Sequence, residues 1–244
     1  MALIAFTSAS GSPGVSTTVM ALAYNWGAPA LVVEADPTGG SGMLVGPLRA
    51  QRPGAGCIVD LLAAQESGQI GSKLDSVLMP LSEQLSLLPG PRSHEQASGL
   101  ARLWPSLAGV LRERSEDVLV DCGRLGMGSW PRAIVESADL VVLALRSSLR
   151  QAAAASSWAR ELAAGEVPQE HECGLLLIGK PRPYPLAELA KHLGIKALAE
   201  IAWDSSSAHV YSDGGAAPRS FAVSAYLRSI TALAAKLRSP HDSQ

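Results

Sequence analysis

The chain has 244 residues, 47% of them apolar, and a formal net charge of −2. That is apolar material for one large core, and the balance of charge excludes both a disordered acidic segment and a polybasic nucleic-acid binder, so non-specific attraction to DNA is not expected. Three cysteines, Cys57, Cys122 and Cys173, stand without C-x-x-C spacing and read as free buried thiols of a reducing compartment, the cytoplasm. The amino terminus lacks a basic leader region and its apolar run is too short for a signal peptide. No stretch reaches transmembrane length.

In chain order, strands are expected near 2–7, 30–35, 84–88, 117–121, 139–145, 173–179 and 197–203. Helices are expected at 16–26, 56–66, 94–114, 131–137, 147–164, 185–193, 205–212 and 219–237. Such alternation predicts an α/β fold, a doubly wound, mostly parallel sheet with helices on both faces. One domain spans 1–238, and the polar stretch 239–244 reads as a frayed tail. The region 37–55 is rich in Gly and Pro, and Lys180-Pro181-Arg182-Pro183-Tyr184-Pro185 reads as a rigid loop because its prolines oppose helix.

Chemistry concentrates in Ala9-Ser10-Gly11-Ser12-Pro13-Gly14-Val15-Ser16-Thr17-Thr18, between the first strand and the first helix. The layout is that of a phosphate-binding loop, G-x-x-x-x-G-K-[ST]. Ala9 stands at the first glycine, Gly14 at the second, Val15 at the lysine and Ser16 at the Mg²⁺-binding hydroxyl. Gly11 and Gly14 permit backbone angles that a side chain opposes, so successive N–H groups can turn inward as an anion nest. The helix behind adds its positive end. Lysine would add a point charge; the first lysine of the chain is Lys73, so none slides into the gap. Losing one charge-assisted hydrogen bond costs about 1.5–3 kcal/mol, roughly ten- to a hundredfold in affinity.

Two acids complete the pattern. Pro29 to Ala35 is a buried-type strand running into Asp36 and a Pro-Thr-Gly-Gly turn, and Asp117-Val118-Leu119-Val120 is a strand ending in Asp121. An acid at the carboxyl end of a parallel strand faces the ligand crevice. Ala138-Asp139-Leu140-Val141-Val142-Leu143 reads as a further buried strand. Taken together, and with Ile201-Ala202-Trp203-Asp204 and Asp213-Gly214-Gly215-Ala216-Ala217-Pro218 near the end, these segments resemble the ParA/MinD family of deviant-Walker P-loop ATPases. The family's motifs are K-G-G-x-G-K-T-T, D-x-D-P-Q-G, a strand ending D-x-x-P, an A-D-x-hydrophobic strand, I-P-x-D and G-x-P, and the resemblance runs through nearly the whole chain in order.

The resemblance implies a P-loop NTPase fold that holds ATP or ADP with Mg²⁺. It places Ser10, Gly11, Ser12, Pro13, Gly14, Val15, Ser16 and Thr17 around the phosphates. It places Ser16, Asp36 and Asp121 on the metal, and it gives Asp36 the catalytic task of positioning the attacking water. The departures are specific. The family's signature lysine, which reaches across a dimer, falls at Ser10, and its Walker lysine falls at Val15. The first acid of D-x-D is Glu34, and the base-reading Asn expected after a late strand is absent where Leu175 to Ile178 runs into Gly179-Lys180. These changes imply a degenerate member, at most a slow Mg²⁺-dependent ATPase, that acts through a protein partner in positioning or assembling bacterial machinery, with the CpaE/TadZ-like pilus-assembly subgroup as the preferred comparison. An active ATPase with a compensating cation and a nucleotide-independent scaffold are the alternatives, and a homodimer is compatible with each.

Other residues read more plainly. His94, His171, His192, His209 and His241 are dispersed without ligand spacing. Arg146, Arg150, Arg182 and Arg219 follow strands or open helices near the ligand edge, and read as solvated charges rather than as a replacement for lysine. The last helix carries Phe221, Ala225, Leu227, Ile230, Leu233, Ala234 and Leu237 on one side and reads as core-facing rather than membrane-bound.

Overall fold

A computed structural model describes residues 1–11, 14–46, 48–49, 56–164 and 172–238. The loop residues Ser12 and Pro13, the tail 239–244, and His171 and His241 lie outside the described residues.

Eight strands form one sheet: β1 (Leu3–Ser8), β2 (Ala30–Glu34), β3 (Met79–Pro80), β4 (Leu85–Leu88), β5 (Asp117–Arg124), β6 (Leu140–Leu145), β7 (Glu172–Ile178) and β8 (Lys196–Ile201). Their order is β3-β4-β2-β5-β1-β6-β7-β8, and every pairing is parallel except β3 with β4. The two-residue β3 has no apolar run to announce it; the other seven strands lie where the sequence places them.

β1 is central and buried along its length, as a strand covered on both faces must be. Its side chains alternate between two apolar layers. Leu3 and Ala5 join one layer, and Ala2, Ile4 and Phe6 the other. The second layer is covered by α1 (Val15–Tyr24), α10 (Ser205–Ser212) and α11 (Ala225–Arg238). The first is covered by α3 (Leu61–Glu66), α4 (Ile70–Val77), α6 (Trp104–Arg112), α7 (Arg132–Ser137), α8 (Leu149–Ala164) and α9 (Leu186–Leu193). Two short helices, α2 (Gly42–Val45) and α5 (His94–Ser98), sit in loops at the carboxyl ends of the strands. The doubly wound expectation holds.

Three helical expectations change in detail. The single helix expected over 94–114 is α5, a 3₁₀ turn at Gly99–Arg102 and then α6, whose first turn contains Pro105. Proline suits a helix start and lacks the N–H needed to continue one. The last helix splits at Ser224, whose backbone is extended and whose Oγ accepts from the Leu227 amide at 3.1 Å. Its buried face is Tyr226, Ile230, Leu233, Ala234 and Leu237, so the helix is core-facing, with Tyr226 in place of Ala225. The helix α4 has no counterpart among the expected elements. Among the described residues no helix is long and apolar enough to cross a membrane.

At the amino ends of the strands, acids hold β1 in place. Asp117 accepts from the Ala2 amide (2.8 Å) and from the indole N–H of fully buried Trp26 (2.9 Å), and Asp139 accepts from the Leu3 amide (2.8 Å). Replacing Asp117 leaves both donors unpaired. Asp117→Ala is therefore expected to cost about 1–3 kcal/mol in a urea unfolding titration; an unchanged midpoint would show that water takes over both bonds.

Candidate functional site

The carboxyl edge is where the chain leaves β1 toward β2 and leaves β6 toward β7 in opposite directions, the position at which open α/β sheets bind ligands. The loop after β1 ends at Gly14, which has φ 109° and ψ 32° and begins α1. The left-handed angles require glycine here. The Gly14 carbonyl accepts from the Thr18 amide (3.0 Å) and the Thr18 hydroxyl (2.8 Å). No described side chain caps α1 and no acid sits in its first turn. The amides at 15, 16 and 17 thus face outward as an anion site.

A cavity of about 360 Å³ opens against those amides. Gly11, Gly14, Val15, Ser16 and Thr17 line it together with Asp36 and Thr38 from the loop after β2 and Gly123 and Arg124 from β5. Ser10 is half-buried beside the cavity and outside its lining. Val15, at the lysine position of the phosphate-binding-loop pattern, lies in the apolar layer under α1 and presents carbon to the cavity.

The two acids come from neighbouring strands. Glu34 of β2 is level with Asp121 of β5, and the Ala35 amide donates to the Asp121 carbonyl at 2.8 Å, which puts Asp36 one step beyond. Asp36 Oδ1 accepts from the amide and hydroxyl of Thr38, both at 2.8 Å, a local turn that fixes the carboxylate. A Cβ on Gly123 would lie 2.5 Å from the Asp36 Cγ, and Gly123 has φ 62°, so only glycine lets the acid approach β5. Asp121 is fully buried. Its Oδ1 accepts from the Gly123 amide at 2.9 Å, and its Oδ2 has no hydrogen-bond partner. Burial, reinforced by the nearby charge of Asp36, raises its pKa from 3.8 to about 7, with the Ser16 hydroxyl opposing the shift.

An orphaned buried carboxylate oxygen beside a hydroxyl and a second acid fits one hard cation. Mg²⁺ is held by one or two carboxylates together with ligand phosphates rather than by a full protein cage.

Glu34 plays a different part from Asp36. It is buried and accepts from the Ser41 hydroxyl, the Met43 amide and the Gly90 amide, each at 3.0 Å. Burial raises its pKa against those three bonds. It ties the loop after β2 to the loop after β4 and does not line the cavity.

A second cavity, of about 270 Å³, shares Gly14 and Thr17 with the first and extends toward Ile178, Ala202 and Trp203. The Trp203 ring is half exposed, and the Arg146 guanidinium stacks over it at 4.8 Å from the ring centre. Gly179, which stands where the family has its base-reading Asn, has φ 106°, and its amide donates to the Ile201 carbonyl at 2.9 Å. Asp204 caps α10, and its bonds from Ser206 and Ser207 lower its pKa to about 2. Neither the Arg146–Trp203 stack nor the position of Arg124 is expected from the sequence. Arg124 stands three residues after Asp121, and counting along the strand is the one signal that points to it.

The backbone that builds this geometry has counterparts among solved structures. A ParA family ATPase from Chlorobium tepidum TLS superposes with TM-score 0.78 over 97% of this chain and 98% of that one, at 18% identity. The chain has the ParA/MinD fold. The cell division ATPase MinD from Pyrococcus furiosus superposes with TM-score 0.77 over 98% of this chain and 100% of its own, at 19% identity. The septum site-determining protein MinD from Pyrococcus horikoshii OT3, in complex with Mg-ADP, gives TM-score 0.75 over 97% and 96%, at 19% identity. No protein-family model and no curated protein matches the sequence.

The Asp121 carboxyl supplies a pH test. In the metal-free folded chain it keeps its proton to about pH 7, whereas the unfolded chain releases it near 3.8. The folded state therefore binds more protons in that window, and stability falls as pH rises through it. Asp121→Asn in EDTA is expected to raise unfolding stability by about 4 kcal/mol at pH 8 and to change it little at pH 4. An equal effect at both pH values would count against the raised pKa.

Proposed function

We propose that this protein binds an adenine nucleotide with Mg²⁺ in the manner of the ParA/MinD ATPases, turns it over slowly or not at all, and works through a protein partner in positioning or assembling bacterial machinery. The observation that carries the reading is the buried Asp121 carboxyl, with Oδ2 unpartnered and with Ser16 and Asp36 near enough to act on it, beside the uncapped start of α1. The two sides are complementary: amides for phosphate, and carboxylates for a cation.

Each residue has a separable task. The amides at 15–17 and the glycines hold the β-side of a polyphosphate. Ser16, Asp121 and Asp36 would hold Mg²⁺, which when bound screens phosphate charge. Asp36, fixed by Thr38, is placed to accept a hydrogen bond from a water at the cavity mouth. Trp203 under Arg146 offers a flat apolar face to a base. What the loop lacks is a cation at positions 10 and 15 to meet charge developing on a transferred phosphoryl group. Ground-state binding survives that loss better than turnover, because amides and metal act on both states.

Calorimetry is expected to find Mg²⁺-dependent ADP and ATP binding in the micromolar to millimolar range and phosphate release far below the roughly 1 s⁻¹ scale of ordinary enzymes. Val15→Lys should tighten binding about tenfold or more. Turnover typical of the intact family in the unmodified protein would remove the degenerate reading.

Ser10 offers a hydroxyl but no charge to a second subunit. A ligand shifts an equilibrium only as far as its affinities for the two states differ. ATP is therefore expected to leave the oligomeric state unchanged, so any homodimer is constitutive. Sedimentation velocity with and without ATP and Mg²⁺ measures this, and an ATP-driven dimer would favour the active-ATPase alternative.

A further inference from the structure

The strand that carries Asp121 does not stop there. β5 continues to Arg124, which pairs across the sheet with Ser8, the last residue of β1 before the loop. Two hydrogen bonds lock this extension. Leu125 donates its amide to the Ser8 carbonyl at 2.8 Å, and the buried Thr7 hydroxyl donates to the Gly123 carbonyl at 3.0 Å. The backbone of Arg124 is thereby fixed on the wall of the cavity that faces the amides of α1.

Among the described residues, Arg124 is the only cationic one in the lining of that cavity. Its side chain is exposed, and among the described residues no carboxylate forms an ion pair with it, whereas Arg112, Arg114 and Arg132 each have one. Of the arginines singled out in the sequence, Arg146 is stacked on Trp203, and Arg150, Arg182 and Arg219 line neither cavity. The lining otherwise presents carbon, hydroxyls, amides and the carboxylate of Asp36. A free guanidinium across from uncapped amides, with an anionic ligand implied between them, has one evident use.

We propose that Arg124 makes the cationic contact to the polyphosphate that the loop after β1 no longer makes. The inference rests on the nucleotide reading above and adds a residue to it. The cation comes from β5, in the lining of the same cavity as Val15. A guanidinium also differs from an ammonium in kind: its planar fork can bridge two phosphate oxygens at once. A contact at the cavity wall suits holding a ligand closed against the loop, and it leaves the interior of the loop apolar at Val15.

The test is a titration of the full-length protein with a fluorescent ADP derivative and Mg²⁺, using wild type, Arg124→Ala and Arg124→Lys, with adenosine as the control ligand. Arg124→Ala is expected to weaken ADP binding about tenfold or more, to leave adenosine affinity unchanged, and to flatten the dependence of affinity on salt. Arg124→Lys should recover part of the loss, the bidentate geometry being absent. Because the side chain is exposed, the ligand-free melting temperature should not move, which separates a ligand contact from a structural one. In a Val15→Lys background the loss on Arg124→Ala should shrink, since the two cations meet one charge. If wild type binds ADP and Arg124→Ala binds it equally well, the inference falls and the nucleotide reading stands. If wild type binds neither ADP nor ATP at millimolar concentration, both fall together.

Discussion

One carboxyl organises the functional edge of this molecule. Asp121 is fully buried, one of its oxygens has no partner, and another acid is close enough to push its pKa upward. Burial disfavours the charged carboxylate, so without a compensating cation the group holds its proton to about pH 7. Everything around it is arranged as though a compensating charge arrives. Gly123 has no side chain, so Asp36 can approach. Thr38 pins Asp36, and Ser16 turns its hydroxyl toward the site. The sheet itself supplies the registration, because Glu34 of β2 is level with Asp121 of β5.

Glu34 shows how a motif position can be kept for a different reason. Its carboxyl accepts three hydrogen bonds, two from backbone amides, and holds the loop after β4 against the loop after β2. Gly90 must be glycine for this contact, since a Cβ there would lie 2.8 Å from the Glu34 Cγ. The longer glutamate reaches a second loop. The result is a rigid frame on the side of the cavity that carries Asp36, and rigidity there limits how far Asp36 can move from β5.

Much of this is legible from local pattern. Central parallel strands are buried on both faces, so they announce themselves as continuous apolar runs, as Leu140 to Leu145 and Leu175 to Ile178 do. Ser16, Asp36 and Asp121 stand out in the sequence because each follows an apolar run with a polar side chain that core packing does not call for. Arg124 stays hidden for the converse reason. An exposed arginine after a strand is ordinary, and its place on the cavity wall depends on pairing with Ser8, more than a hundred residues away in sequence. Register of this kind is a tertiary fact. The same holds for Arg146 and Trp203, which are brought together only by folding. The two-residue β3 is too short to carry a period at all.

The loss of lysine from the loop has a consequence for the whole edge. A lysine within the loop reaches the same phosphates that the amides cradle, so its charge adds to theirs at one point. With Val15 at that position, the apolar layer under α1 extends to the cavity, and positive potential is divided between the first-turn amides and Arg124. Such a divided field favours holding an anion between the two over driving charge onto one leaving bond.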